Sequence, residues 1–200
     1  MNKESSKFLY HLITDHSQYH QPLHEVANFS ELSHVAHFQL RAKESSKGEL
    51  LAIATHIRPY LQQTKFIVNG HLDVALASEA DGIHLQARNI PVGVVRKKFP
   101  KLIIGYSAHT REELHYAESE GADYVLLGPV YSPISKNVSG SPIGIDKFKE
   151  WVSDVSIPVF ALGGISESNL QAVAVTGCCG VAGISFFIRE GHFTNKRMVF

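Results

Sequence analysis

Disulfide chemistry cannot organise this chain. Its only two cysteines, Cys178 and Cys179, are adjacent, a spacing that rarely forms a bridge. Charge of one sign is missing as well. Lys plus Arg and Asp plus Glu number 19 each, so no net field draws nucleic acid or an anionic membrane surface. An anionic small molecule must then be held by local donors. No apolar run is long enough to cross a bilayer and no secretory leader is visible, so a soluble, cytoplasmic protein is expected. A Gly-x-Gly-x-x-Gly turn is absent too, which argues against an open dinucleotide-binding sheet. The chain has 12 histidines but no Cys-x2-Cys pair. His16, His20 and His24 stand four apart with Pro22 among them, which reads as a loop with scattered histidines rather than a metal site. His34 and His37 lie in polar surroundings and read as solvated.

What the chain has is apolar material in a repeating order. At 44% hydrophobic, its 200 residues suit one domain spanning 1–200. Strand patterns fall at 8–13, 36–41, 65–68, 82–85, 102–107, 124–128, 157–162 and 180–187. Helical patterns lie between most of them, at 50–61, 72–80, 92–99, 145–152 and 169–176. Thr110 and Glu113 form a capping-box pattern that opens one more. Eight strands alternating with helices predict a closed parallel (β/α)8 TIM barrel. The last helix is expected to be short or missing, its barrel face covered by a homodimer partner or a further segment. The polar stretch 132–141, with Pro133 and Gly140, is a candidate lid.

The sharpest local pattern is Val159-Phe160-Ala161-Leu162-Gly163-Gly164-Ile165-Ser166, a buried strand, a turn without side-chain bulk and a helix start. Paired glycines admit a ligand to the backbone, and N–H groups at a helix start attract an anion. Val181-Ala182-Gly183-Ile184-Ser185 repeats the plan. Two such turns suit the phosphate site after the last two strands of a barrel. The other strand ends supply Thr14, Asp15, Gln39, Arg41, Lys43, Asn69, His84, Gln86, Ser107 and His109, with Lys136 in the candidate lid. This donor-rich set suits a phosphorylated ligand. Arg41 and Lys43 have a second reading, as surface partners of Glu44.

Several motifs in order carry a resemblance: Gln39-Leu40-Arg41-Ala42-Lys43, Ala80-Asp81-Gly82-Ile83-His84-Leu85, Ile104-Gly105-Tyr106-Ser107-Ala108-His109-Thr110, Gly121-Ala122-Asp123-Tyr124-Val125, and Gly128-Pro129-Val130-Tyr131 followed by Lys136. With them, the chain resembles the thiamine phosphate synthase/TenI family. The resemblance implies that Gln39, Arg41, Lys43, Asn69, Ser107 and Lys136 hold a pyrimidine diphosphate, and that Gly163, Gly164, Ile184 and Ser185 hold a thiazole phosphate. Synthases of the family join the two ligands with loss of pyrophosphate and use Mg²⁺ held by two Asp carboxylates. Here those positions are Gly70 and Asn89, and Mg²⁺ prefers hard anionic oxygen. The expected function is therefore the TenI-type one, tautomerisation of a thiazole carboxylate phosphate by general acid/base catalysis without a metal or other cofactor. That branch places a catalytic His where this chain has Pro129, so His84 or His109, with Ser107, become the candidate catalytic residues. His109 sits just before a helix, where the dipole favours the neutral imidazole. Two alternatives stand beside it: a Mg²⁺-dependent synthase, and a non-catalytic protein that only binds the thiazole phosphate.

Overall fold

The computed structural model describes residues 8–15, 21–32, 35–132, 141–189 and 192–193. Eight parallel strands close into a barrel in sequence order: β1 (Leu9–Ile13), β2 (His37–Leu40), β3 (Lys65–Asn69), β4 (Gly82–Leu85), β5 (Ile103–Ala108), β6 (Tyr124–Leu127), β7 (Val159–Leu162) and β8 (Gly180–Gly183). Helices alternate with them as α1 (Leu23–Leu32), α2 (Lys47–Ile57), α3 (Leu72–Ala77), α4 (Val92–Lys98), α5 (Arg111–Ser119), α6 (Ile145–Ser153) and α7 (Glu167–Ala174). The fold is the TIM barrel that the periodicity predicts. Strands β4 and β6 are buried at every position, as expected where helices cover one face and the barrel interior the other. Phe38, Phe66, Phe148, Phe160 and Tyr124 are fully buried, each contributing roughly 2 kcal/mol from the area removed from water.

The Ala-Asp motifs explain how strands are aligned. Asp81, just before β4, accepts a hydrogen bond from the Phe66 N–H of β3 at 2.9 Å and lies 3.7 Å from both Arg58 and Lys65. Asp123, just before β6, accepts from the Ile104 N–H of β5 at 2.7 Å and pairs with Arg96. Both carboxylates sit at strand starts, where they set register rather than touch a ligand. Gly105 and Tyr124 face each other across β5 and β6, and a Cβ on Gly105 would overlap the Tyr124 ring. That glycine is what lets Tyr124 lie flat in the core.

Three elements differ from the sequence expectations. The stretch read as a histidine-bearing loop holds α1, which starts directly after Pro22. The Pro22 carbonyl accepts from the N–H groups of Glu25 and Val26 at 3.0 and 3.2 Å, and proline lacks only a donor that a first turn does not need. Helix α2 begins before residue 50, capped by Ser46 and Glu49, and gives way to a 3₁₀ turn at Arg58–Tyr60 that contains Pro59. Strand β8 stops at Gly183, short of the expected residue 187. Ser185–Phe187 is a 3₁₀ turn, followed by the small pair β9 (Ile188–Arg189) and β10 (His192–Phe193). Among the described residues no α-helix follows β8. The candidate lid lies mostly outside the described residues, at 133–140, and Lys136 with it.

Candidate functional site

The described chain forms two compact units, one built on His11–His84 with the residues from Gly183 on, the other on Leu85–Ala182 with the residues before His11. Each carries its own set of predicted residues.

In the first unit, β1 and β2 end on a reciprocal pair. The Arg41 N–H donates to Thr14 Oγ1 at 2.8 Å, and that hydroxyl donates to the Arg41 carbonyl at 3.1 Å. The Arg41 guanidinium lies 3.4 Å from Asp15 rather than on Glu44. Lys43 is exposed beyond it. Gln39 is 2% exposed and donates through Nε2 to Asn69 Oδ1 at 2.9 Å. Its Oε1 lies 2.7 Å from His11 Nε2, and His11 Nδ1 lies 3.1 Å from His37 Nδ1. His84 is 1% exposed, its ring 6.4 Å from that of His11. Burial, with His37 adding to it, lowers the His84 pKa to about 3. Burial and the nearby Lys65 lower that of His37 to about 4, against a smaller opposing pull from Asp81. His11 is pushed well below the ordinary range by burial, then by His37 and His84. These are neutral imidazoles at physiological pH. His37 is thus not the solvated side chain expected from the sequence. Ile184 and Ser185 follow Gly183 in this unit, at the start of the 3₁₀ turn.

In the second unit the glycine turn after β7 is held by its carbonyls. Leu162 and Gly163 accept from the N–H groups of Val130 and Tyr131 at 2.8 and 3.1 Å, and Gly164 accepts from Asn169 Nδ2 at 2.9 Å. Asn169 Oδ1 takes the Ser166 N–H at 2.9 Å, closing the start of α7. Among the described residues, the N–H groups of Gly163 and Gly164 make no hydrogen bond. Both glycines have left-handed φ, +91° and +64°. Ser107 lies half-buried near the end of β5. His109 Nδ1 is 2.5 Å from the Gly128 carbonyl, so Nδ1–H donates there. The Glu113 carboxylate reaches past Thr110 to the His109 N–H at 2.6 Å, while Thr110 caps the Glu113 N–H.

The donor set does not fit a Mg²⁺ ion. Gly70 has no side chain, Asn89 Oδ1 is taken by the Gln86 N–H at 2.8 Å, and Asp15 faces Arg41. Among the described residues no cluster of three or more Asp, Glu, His or Cys side chains suits a metal.

The family model described as thiamine monophosphate synthase matches residues 9–187. The chain belongs to this family. It is 40% identical over 153 residues to the thiamine-phosphate synthase of Moorella thermoacetica, covering 75% of this chain and 73% of the relative. The thiamine-phosphate synthase of Methanococcus maripaludis is 36% identical over 188 residues, covering 93% and 89%. The solved thiamine phosphate pyrophosphorylase of Pyrococcus furiosus aligns with a TM-score of 0.78 at 33% identity, covering 90% of this chain and 87% of that one. These relatives are named synthases, and their names give no support to the TenI-type branch that Gly70 and Asn89 suggest. The chain is a thiamine-phosphate-synthase-family protein of thiamine biosynthesis. Among the described residues no helix is long and apolar enough to cross a membrane.

Sequence reasoning missed His11 and His37 as parts of a site. The available signal was three histidines on three of the first four strands, with Gln39 on the same strand face as His37.

Proposed function

We propose that this thiamine-phosphate-synthase-family protein joins a pyrimidine diphosphate to a thiazole phosphate, releasing pyrophosphate. The observation that carries the reading is the pair of unbonded N–H groups at Gly163 and Gly164, whose carbonyls are all engaged. Bare backbone donors beside the start of α7 suit a phosphate dianion. In the other unit Arg41, Lys43, Gln39 and Asn69 suit the diphosphate. Breaking its carbon–oxygen bond leaves charge on the departing pyrophosphate, and forming the carbon–nitrogen bond joins the two rings. Arg41 and Lys43 neutralise that charge in place of carboxylate-held metal, since planar and point cations both bind phosphate oxygens.

A second reading, the metal-free tautomerase, is favoured by Gly70 and Asn89 where metal carboxylates are expected. His109 is its better base. The Gly128 carbonyl holds its proton on Nδ1, whereas His84 is sealed from solvent.

Titration calorimetry with each ligand, with and without Mg²⁺, separates the two. The synthase reading predicts that both ligands bind, with pyrimidine diphosphate affinity changing less than tenfold on adding Mg²⁺. Thiazole phosphate binding alone would replace it with the tautomerase reading.

A further inference from the structure

The polar chain inside the first unit has a direction, and that direction decides what Asn69 offers a ligand. Gln39 is its pivot. With Nε2 donating to Asn69 Oδ1 at 2.9 Å, Gln39 Oε1 is left as an acceptor, 2.7 Å from His11 Nε2. His11 must therefore carry its proton on Nε2. A neutral ring in that tautomer has its lone pair on Nδ1, and this atom lies 3.1 Å from His37 Nδ1, which must donate. All three bonds then point the same way, from His37 through His11 and Gln39 to Asn69. Asn69 Oδ1 ends the chain as acceptor, and its NH₂ group makes no hydrogen bond among the described residues.

The same atoms permit one other arrangement. If Gln39 turns over, its Nε2 donates to His11 and its Oε1 accepts from Asn69. His11 then carries its proton on Nδ1, and Asn69 presents a carbonyl oxygen where its NH₂ had been. An exposed carbonyl repels a phosphate oxygen, while two N–H donors attract it. At its buried middle, where His11 is 0% and Gln39 2% exposed, the chain tolerates either polarity but no mixture, because a mixture leaves a donor facing a donor away from water.

We propose that His11 and His37 are positioning residues: their relay through the buried Gln39 locks Asn69 with its amide donors outward, ready for the diphosphate of a pyrimidine substrate. Neither histidine touches the ligand. Burial supports the role, since an imidazolium at His11 would turn its Nδ1–H toward the His37 donor. His84 adds a third neutral ring edge-on to His11 and so protects the tautomer from protonation. The inference rests on the proposed function for the identity of the ligand, but not for the relay itself.

Two measurements on the full chain test it. Long-range proton–nitrogen spectra of ¹⁵N-histidine-labelled protein report the tautomer directly. The expected result is His11 protonated on Nε2 and not on Nδ1, persisting down to pH 5. A proton on Nδ1, or an imidazolium at pH 7, overturns the proposal. Calorimetry with hydroxymethylpyrimidine diphosphate then compares His11→Leu, which removes the donor, with His11→Gln, whose side-chain amide N–H replaces Nε2–H. About a tenfold loss of affinity is expected for the first, the size of one directed hydrogen bond, with most of it regained by the second. Thiazole phosphate affinity should not move in either. A folded His11→Leu protein with unchanged diphosphate affinity overturns the positioning role. If His11→Leu fails to fold, His37→Phe removes the donor at the head of the relay, and a His11 tautomer left unaltered by it overturns the proposal. Should the unaltered protein bind no pyrimidine diphosphate while His11 shows the expected tautomer, the proposed function fails and the relay stands.

Discussion

Gly164→Ala is expected to lower thiazole phosphate affinity about a hundredfold and to cost about 3 kcal/mol of stability. Two effects combine. At φ +64° an L side chain crowds its own carbonyl, a cost of roughly 1–2 kcal/mol. The added Cβ would also lie 2.6 Å from the Ser132 carbonyl oxygen and 2.7 Å from the Tyr131 carbonyl carbon, both backbone atoms that cannot rotate away. Relief comes only by moving the turn, which carries the bare N–H groups with it. Gly48→Ala is the matched control. Gly48 lies in α2, and a methyl added there would meet open space on ordinary helical backbone, so alanine is neutral or stabilising by up to about 1 kcal/mol. Urea titration and calorimetry on both variants check the pair. Wild-type thiazole phosphate affinity in Gly164→Ala would remove the glycine turn from the binding site.

The second large effect is a loss of stability in mild acid. Unfolded histidines titrate near 6.5, whereas folded His37 and His84 are lowered to about 4 and about 3, and His11 is lowered too. Between those values the unfolded chain takes up protons that the folded chain refuses. Stability contributed by the neutral rings is therefore complete above about pH 6.5 and is lost as the pH falls toward 4. One such histidine gives a slope of up to about 1.4 kcal/mol per pH unit, and the cluster exceeds that because each of its three rings takes up a proton only on unfolding. Among the described residues, Lys65 opposes protonation of His37 and Asp81 favours it. The window from pH 6.5 to 5 lies above the usual carboxylate range, so it isolates the histidines. Urea midpoints should fall steadily across it, and a His84→Met variant should show a shallower fall. A midpoint constant between pH 6.5 and 5 would contradict the burial of these rings.

The barrel was readable in the sequence because most strands are apolar runs ended by a turn signal, as at Asn69-Gly70 and Leu162-Gly163. Helix α1 was hidden by Pro22, which breaks a helix from inside but begins one from its first turn. The histidine relay was hidden for a different reason. In β2, Phe38 and Leu40 alternate with His37 and Gln39, a pattern that ordinarily means one wet face. In a closed barrel the second face is buried as well, so Gln39 is 2% exposed although it is polar. Alternation shows which side chains share a face; it does not say that the polar face meets water. Asn89 shows the opposite case. Its identity argued from sequence against a metal carboxylate, and its bond to the Gln86 N–H gives it work in the turn after β4.

Product formation tests the central claim most directly. Purified protein is incubated with hydroxymethylpyrimidine diphosphate and thiazole phosphate, and thiamine phosphate and pyrophosphate are followed together, with and without Mg²⁺. The account predicts both products in equal amounts, made by wild-type protein and reduced at least a hundredfold in Gly164→Ala. No thiamine phosphate under either condition, from protein that binds the thiazole phosphate, would contradict the synthase reading.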